Sequence, residues 1–216
     1  MSFPAVAQAL SRLARSGRIE RLSKGTYYRW RQTRFGRSRP NPTLIRQLAS
    51  RRNSIFSSGV AAANLLGFTT QSPRHEELAT SGLSLPRKLV GSKVIIHTRR
   101  PEAWSRLSQT NAALLDFLRS GGRTSELSPE TTIRRVMKLL SEPGRVERLL
   151  KAAATEPPRV RAMLGALGEQ MRRDDQRINR LRASLNPLSR FDFGLLAGLP
   201  NARSWHAKER RRHETL

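Results

Sequence analysis

Residues 2–30 read SFPAVAQALSRLARSGRIERLSKGTYYRW, and this stretch decides the fold. Val6, Ala9, Leu10 and Leu13 recur at helical spacing and make one apolar face, while Ala5, Gln8, Ser11, Arg12 and Arg15 fall on the other. Ser2 stands where a hydroxyl caps a first turn, and Pro4 fits there because its missing N–H has no helical partner in any case. Gly17 stops the helix, since it takes the left-handed conformation without steric cost. Two β-type runs follow, 18–22 and 26–30, around the turn Ser23-Lys24-Gly25. A helix followed at once by a hairpin with a basic tip is the second half of a winged helix-turn-helix.

Charge points the same way. The chain of 216 residues carries 41 Lys and Arg against 16 Asp and Glu, a net charge of +25. Such a surface repels itself and attracts polyanions, of which phosphate backbones are the commonest. An acidic membrane surface is the rival partner. No run approaches the roughly 18 apolar residues of a membrane helix, and the N-terminus has no basic segment ahead of an apolar core. The expectation is a cytoplasmic protein that does not engage a membrane.

The chemistry-bearing residues are sparse. With no cysteine, disulfides, thiolate zinc sites and cysteine nucleophiles are excluded. His75, His97, His206 and His213 are scattered without ligand spacing, and the aspartates are Asp116, Asp174, Asp175 and Asp192. Adjacent residues such as Asp174 and Asp175 point about 100° apart on a helix and share no metal without other ligands. Neither a Gly-rich phosphate loop nor a G-x-S-x-G elbow is present. The sequence therefore predicts no catalytic residue, no metal and no cofactor. An RNA-processing enzyme has only the charge in its favour.

The remaining chain reads as α+β. Residues 32–43, rich in Arg, Gly, Ser and Pro, read as a linker whose Arg34, Arg37 and Arg39 either track phosphates or are simply solvated. Leu44, Ile45 and Leu48 suggest a short helix, and 58–66 a small apolar one ended by Gly67. Strands are predicted at 77–80, 87–90 and 94–98, then helices at 111–119, 133–140 and from Val146. A long helical pattern runs from Val160 to Leu185, interrupted at Asp174, before a tail holding Phe191, Phe193, Trp205 and the basic run Lys208 with Arg210, Arg211 and Arg212. The predicted organisation is a partial winged helix-turn-helix over 1–31, the linker over 32–43, and a mixed α/β domain with a small sheet over 44–157. A helical, basic C-terminal region follows over 158–216.

Two blocks carry a family resemblance. The first is the run from Ala5 to Leu13 with Gly17-Arg18-Ile19, Leu22, Lys24-Gly25 and Tyr27-Tyr28. The second is Ser58-Gly59, the run from Ala62 to Gly67, and Thr70-Gln71. In this order they resemble the AbiEi-type antitoxins, the DNA-binding, autoregulating halves of type IV toxin–antitoxin systems. The resemblance implies repression of the chain's own operon through an operator in double-stranded DNA. It also implies a nucleotidyltransferase-like toxin as protein partner.

A winged helix ordinarily has two helices before the one that reads DNA, whereas this chain begins at that helix. The face of Val6, Leu10 and Leu13 is thus expected to lack partners. An internal start at Met1, a degraded copy, or another element covering the face each accounts for this, and an internal start is the expectation.

The candidate DNA contacts are Ser2, Gln8, Ser11, Arg12, Arg15, Arg18, Arg21 and Lys24. Gln8 and Ser11 are suited to base edges, and Arg12 and Arg15 to phosphate or guanine. The plainer alternative is the solvated face of an amphipathic helix. Lys24 sits at the wing tip, and Arg18 and Arg21 flank it as contacts or as solvated cations. Tyr27, Tyr28 and Trp30 either stack on bases or anchor the wing, and anchoring is preferred. A protein-interaction module with a vestigial wing is the alternative function.

Overall fold

Helix α1 (Phe3–Arg15) leads into a hairpin of β1 (Glu20–Ser23) and β2 (Thr26–Tyr28), as the opening stretch predicts. The computed structural model describes residues 2–23, 25–38, 55–83, 85, 90, 93–171 and 176–209. Ser2 occupies the N-cap with extended backbone, but its side chain makes no capping hydrogen bond, so the proline in the first turn does more for this end than the hydroxyl. At the other end the Arg18 N–H donates to the Leu13 carbonyl at 3.0 Å and Gly17 takes φ +71°. The strands pair antiparallel, Glu20 opposite Tyr28 and Arg21 opposite Tyr27.

The region read as a linker is partly structured. β3 (Gln32–Thr33) and β4 (Gly36–Arg37) form a second antiparallel hairpin. Its residues are polar on both faces, so no apolar alternation betrays it in the sequence. Residues 39–43 and the helix predicted at 44–48 lie outside the described residues.

A three-stranded sheet follows in the order β5 (Ile55–Ser57), β6 (Glu77–Thr80), β7 (Ile95–His97). β5 runs antiparallel to β6, with Phe56 opposite Ala79, and β7 runs parallel to it, with Leu78 opposite Ile96. The strands predicted at 77–80 and 94–98 are present. β5 escaped the sequence reading because three residues are too few to show a period. Of the strand predicted at 87–90 only Val90 is described, and it is helical rather than extended. Side chains alternate across the sheet. Ile55 and Leu78 face one way and bury with Leu22, Leu85 and Val94, with Tyr28 of the first hairpin packed against them. Phe56 and Ala79 face the helices.

Six further helices complete the described chain: α2 (Gly59–Leu65), α3 (Gln109–Arg119), α4 (Pro129–Leu140), α5 (Arg145–Ala153), α6 (Pro158–Gln170) and α7 (Gln176–Ala183). Serine hydroxyls cap two of them, Ser108 accepting from the Asn111 N–H at 3.3 Å and Ser128 from that of Thr131 at 3.2 Å. α3 is buried from Asn111 through Leu118 and forms the centre of the core. The long pattern predicted from Val160 to Leu185 divides: α6 ends at Gln170, and α7 begins at Gln176. Asp174, where the apolar stripe fails, lies between them and outside the described residues.

The tail folds back into the same core. Phe193, Leu196, Leu199, Ala202 and Trp205 bury with Phe56 and Leu115 in one cluster. Trp205 lies against Gly165 of α6, where a Cβ would collide with its ring, and its Nε1 donates to Glu169 Oε2 at 2.8 Å. The chain is therefore mixed α+β, with seven helices and small two- and three-stranded sheets among the described residues, and its opening, a helix followed by a hairpin, is compatible with a partial winged helix. Among those residues no helix is long and apolar enough to cross a membrane.

Candidate nucleic-acid interface

Gln8, Ser11, Arg12 and Arg15 recur at helical spacing and form one stripe on α1, with Ser11 half-buried and the other three exposed. Arg12 and Arg15 also occupy the last turn, where cations offset the negative end of the helix dipole. The opposite face is open. No residue of α1 is buried; Phe3 is 87 % exposed, Val6 39 % and Leu13 37 %.

Beside the end of α1 lies a basic concavity of about 810 Å3. Arg18, Arg29 and Arg37 line it together with Leu13, Ile19 and Trp30, and no carboxylate does. Trp30 organises this site. Its Nε1 donates to the carbonyl of Gly17 at 3.0 Å, and the Arg37 guanidinium lies 4.1 Å above its ring centroid. The Tyr28 hydroxyl and Ser38 Oγ are 2.8 Å apart, and Ser38 Oγ accepts the Arg31 N–H at 2.7 Å, so the two hairpins are joined. Tyr28 is half-buried and packs against the cluster around Leu22 and Ile55, whereas Trp30 is half-buried and lines the concavity. Concentrating one sign of charge in a concave surface raises the local potential felt by a phosphate chain.

The predicted contacts are partly assembled. Arg18 joins the concavity, while Gln8, Ser11, Arg12 and Arg15 share the helix stripe. Arg21 is exposed on β1, opposite Tyr27, and Ser2 is exposed at the start of α1. Lys24 lies outside the described residues. Sequence reasoning missed Arg29 and placed Arg37 in a linker. The available signal was Trp30 followed seven residues later by Arg37; the hairpin pairs Arg37 with Gln32 and so carries it back onto the Trp30 ring.

A second concavity, of about 480 Å3, is lined among others by Ser58, Glu77, His97, Arg100, Asp116 and Arg119. Its carboxylates are paired internally, while Arg100 Nε is buried without a hydrogen-bond partner. Asp116 accepts from Ser58 Oγ at 2.8 Å, the Gly59 N–H at 2.9 Å and Arg100 Nη2 at 2.8 Å, so it caps α2 from α3. Glu77 lies 2.9 Å from His97 Nε2, and Arg119 Nε donates to Glu156 at 2.7 Å. Burial lowers the Arg100 pKa; Asp116 opposes that shift and Arg119 adds to it. This arrangement ties the sheet to the helices. Among the described residues no cluster of three or more His, Asp or Glu is placed to hold a metal.

No family model matches the chain, and no curated protein matches it. Among solved structures it is similar to the crystal structure of RV2827C protein from Mycobacterium tuberculosis, at 18 % identity over 87 % of this chain and 73 % of that one, with a TM-score of 0.43. A likeness at that level carries no functional argument.

Proposed function

We propose that this chain is a DNA-binding transcriptional regulator, the antitoxin-like component of a type IV toxin–antitoxin system, acting in the cytoplasm on its own operon. The observation that carries the DNA-binding part is the carboxylate-free concavity of Arg18, Arg29 and Arg37 around Trp30 beside the end of α1; Gln8, Arg12 and Arg15 are exposed on the same helix. Phosphates fix register through such guanidinium groups, and the helix stripe supplies side chains for base edges. The toxin partner follows from the two sequence blocks that resemble AbiEi-type antitoxins. This role requires no catalytic step, metal or cofactor.

The test is a fluorescence titration on the DNA upstream of the chain's own gene, at moderate salt and against unrelated duplex. Operator recognition predicts a site bound at least 10³-fold more tightly than unrelated DNA, the order seen for specific binders. Equal affinity for every duplex sinks it. One observation favours a protein-interaction role as the second reading: the open apolar face of Phe3, Val6 and Leu13. A pull-down from nuclease-treated extract separates the two, because a partner kept without nucleic acid favours interaction.

A further inference from the structure

Phe35 stands in the turn of the second hairpin and is 92 % exposed. A lone apolar side chain on a surface is ordinary; the surroundings of this one are not. The turn is braced from within, the Thr33 hydroxyl donating to the Gly36 carbonyl at 2.7 Å and accepting the Phe35 N–H at 3.2 Å. Gly36, at φ +99°, supplies the conformation that a tight turn of this kind needs and that a side chain disfavours. The base is braced as well, since the Ser38 N–H donates to the Arg31 carbonyl at 2.8 Å and Arg37 rests on Trp30, itself bonded to Gly17. Contacts thus lead from the end of α1 through Trp30 and Arg37 to the backbone of the turn that presents Phe35.

The charged residues of this hairpin are all cationic. Arg29, Arg31, Arg34 and Arg37 are all exposed, and residues 29–37 contain no carboxylate. The Arg34 guanidinium lies 5.8 Å from the Phe35 centroid. A protein pocket for a phenylalanine is ordinarily rimmed by mixed polar groups, whereas an exposed apolar ring with a guanidinium beside it, on a hairpin whose charged residues are all arginines, matches a surface that alternates phosphates with flat apolar faces. Double-stranded DNA has that surface, and apolar side chains driven between its base steps are an established way of kinking it.

We infer that Phe35 is an apolar wedge that partly unstacks one base step while the flanking arginines hold the phosphates, an assignment that rests on the DNA-binding role proposed above. The test uses the full chain and duplexes of its upstream DNA carrying 2-aminopurine at successive positions. At saturating protein, emission is expected to rise at one step. Phe35→Ala abolishes that rise and weakens binding about fivefold to a hundredfold, the range for losing one base–aromatic stack. Phe35→Trp restores both. Because the ring is exposed, Phe35→Ala leaves the melting temperature unchanged, so lost binding does not reflect lost folding. Wild-type binding without a rise at any position overturns the wedge alone, as does a rise that survives Phe35→Ala. Absence of any duplex binding by the wild type overturns the DNA-binding role itself. If Phe35→Ala binds DNA as the wild type does but no longer retains a protein partner after nuclease treatment, the ring belongs to a protein interface and the wedge is wrong.

Discussion

The indole N–H of Trp30 reaches the carbonyl oxygen of Gly17 at 3.0 Å, so the residue that ends α1 also receives the strand that starts the second hairpin. One hydrogen bond thereby sets the spacing between helix and hairpin. Trp30→Phe keeps a ring under Arg37 but removes the donor, at an expected cost of about 0.5–1.5 kcal/mol. Trp30→Ala removes the platform as well. Limited proteolysis is expected to cut within residues 31–38 faster in Trp30→Ala than in the wild type; equal rates show that the hairpin stands without Trp30.

Arg12 and Arg15 share the exposed stripe of α1. If each neutralises one phosphate, Arg12→Ala with Arg15→Ala lowers the slope of log affinity against log salt by about 1.8. Titrations at several salt concentrations measure it. An unchanged slope removes this helix from the interface.

Gly165 faces the Trp205 ring at the centre of the folded tail. Gly165→Ala is expected to destabilise by about 1–3 kcal/mol, because a fully buried indole has nowhere to move and overpacking outweighs the better helix propensity of alanine. The urea midpoint reports it. A gain in stability, as an open helical site gives, contradicts the packing.

Asp116 holds a partly buried guanidinium and an end of α2 together. Its side chain is 7 % exposed and that of Arg100 is 15 % exposed. Asp116→Ala leaves the Arg100 charge uncompensated and should cost about 3–5 kcal/mol. Adding Arg100→Leu recovers only part of this, since Ser58 and the Gly59 N–H still lack their acceptor. Full recovery in the double variant, followed by chemical denaturation, shows that the capping bonds contribute nothing.

Acid should destabilise the fold through its paired carboxylates. Burial alone raises the Glu169 pKa, but hydrogen bonds from Trp205 and Asn201 and the Arg182 charge outweigh it, and the pKa falls below its ordinary 4.5. The Gly194 N–H lowers Asp192 below 3.8, helped by Arg123, and the Thr69 hydroxyl and Thr70 N–H lower Glu126. A carboxylate whose pKa is lowered on folding binds fewer protons folded than unfolded, so its contribution is complete above the ordinary value and lost as pH falls through the folded one. Urea midpoints are expected to hold down to about pH 5 and then decline. The decline should be shallower in Glu169→Gln; an identical pH profile removes Glu169 from the account.

By itself the sequence determined what local rules can reach. Apolar spacing at Val6, Leu10 and Leu13 with a stop at Gly17 specified α1, and two β-type runs around Gly25 specified the first hairpin. The strand at 77–80 and the helices around Leu115, Val136 and Leu149 likewise carry their own period. Only the tertiary structure decided the rest, because each such feature depends on partners distant along the chain. Arg34 and Arg37 look like solvated linker cations until Trp30 and Gly17 position the strand that carries them. Phe35 is unremarkable in composition and becomes a tip only through the Thr33–Gly36 pairing. Asp116 is one aspartate of four until folding brings Ser58 to it from 58 residues away. The tail holding Trp205 looked like an extension, since its aromatic side chains have no period, yet Gly165 leaves the space that draws it into the core.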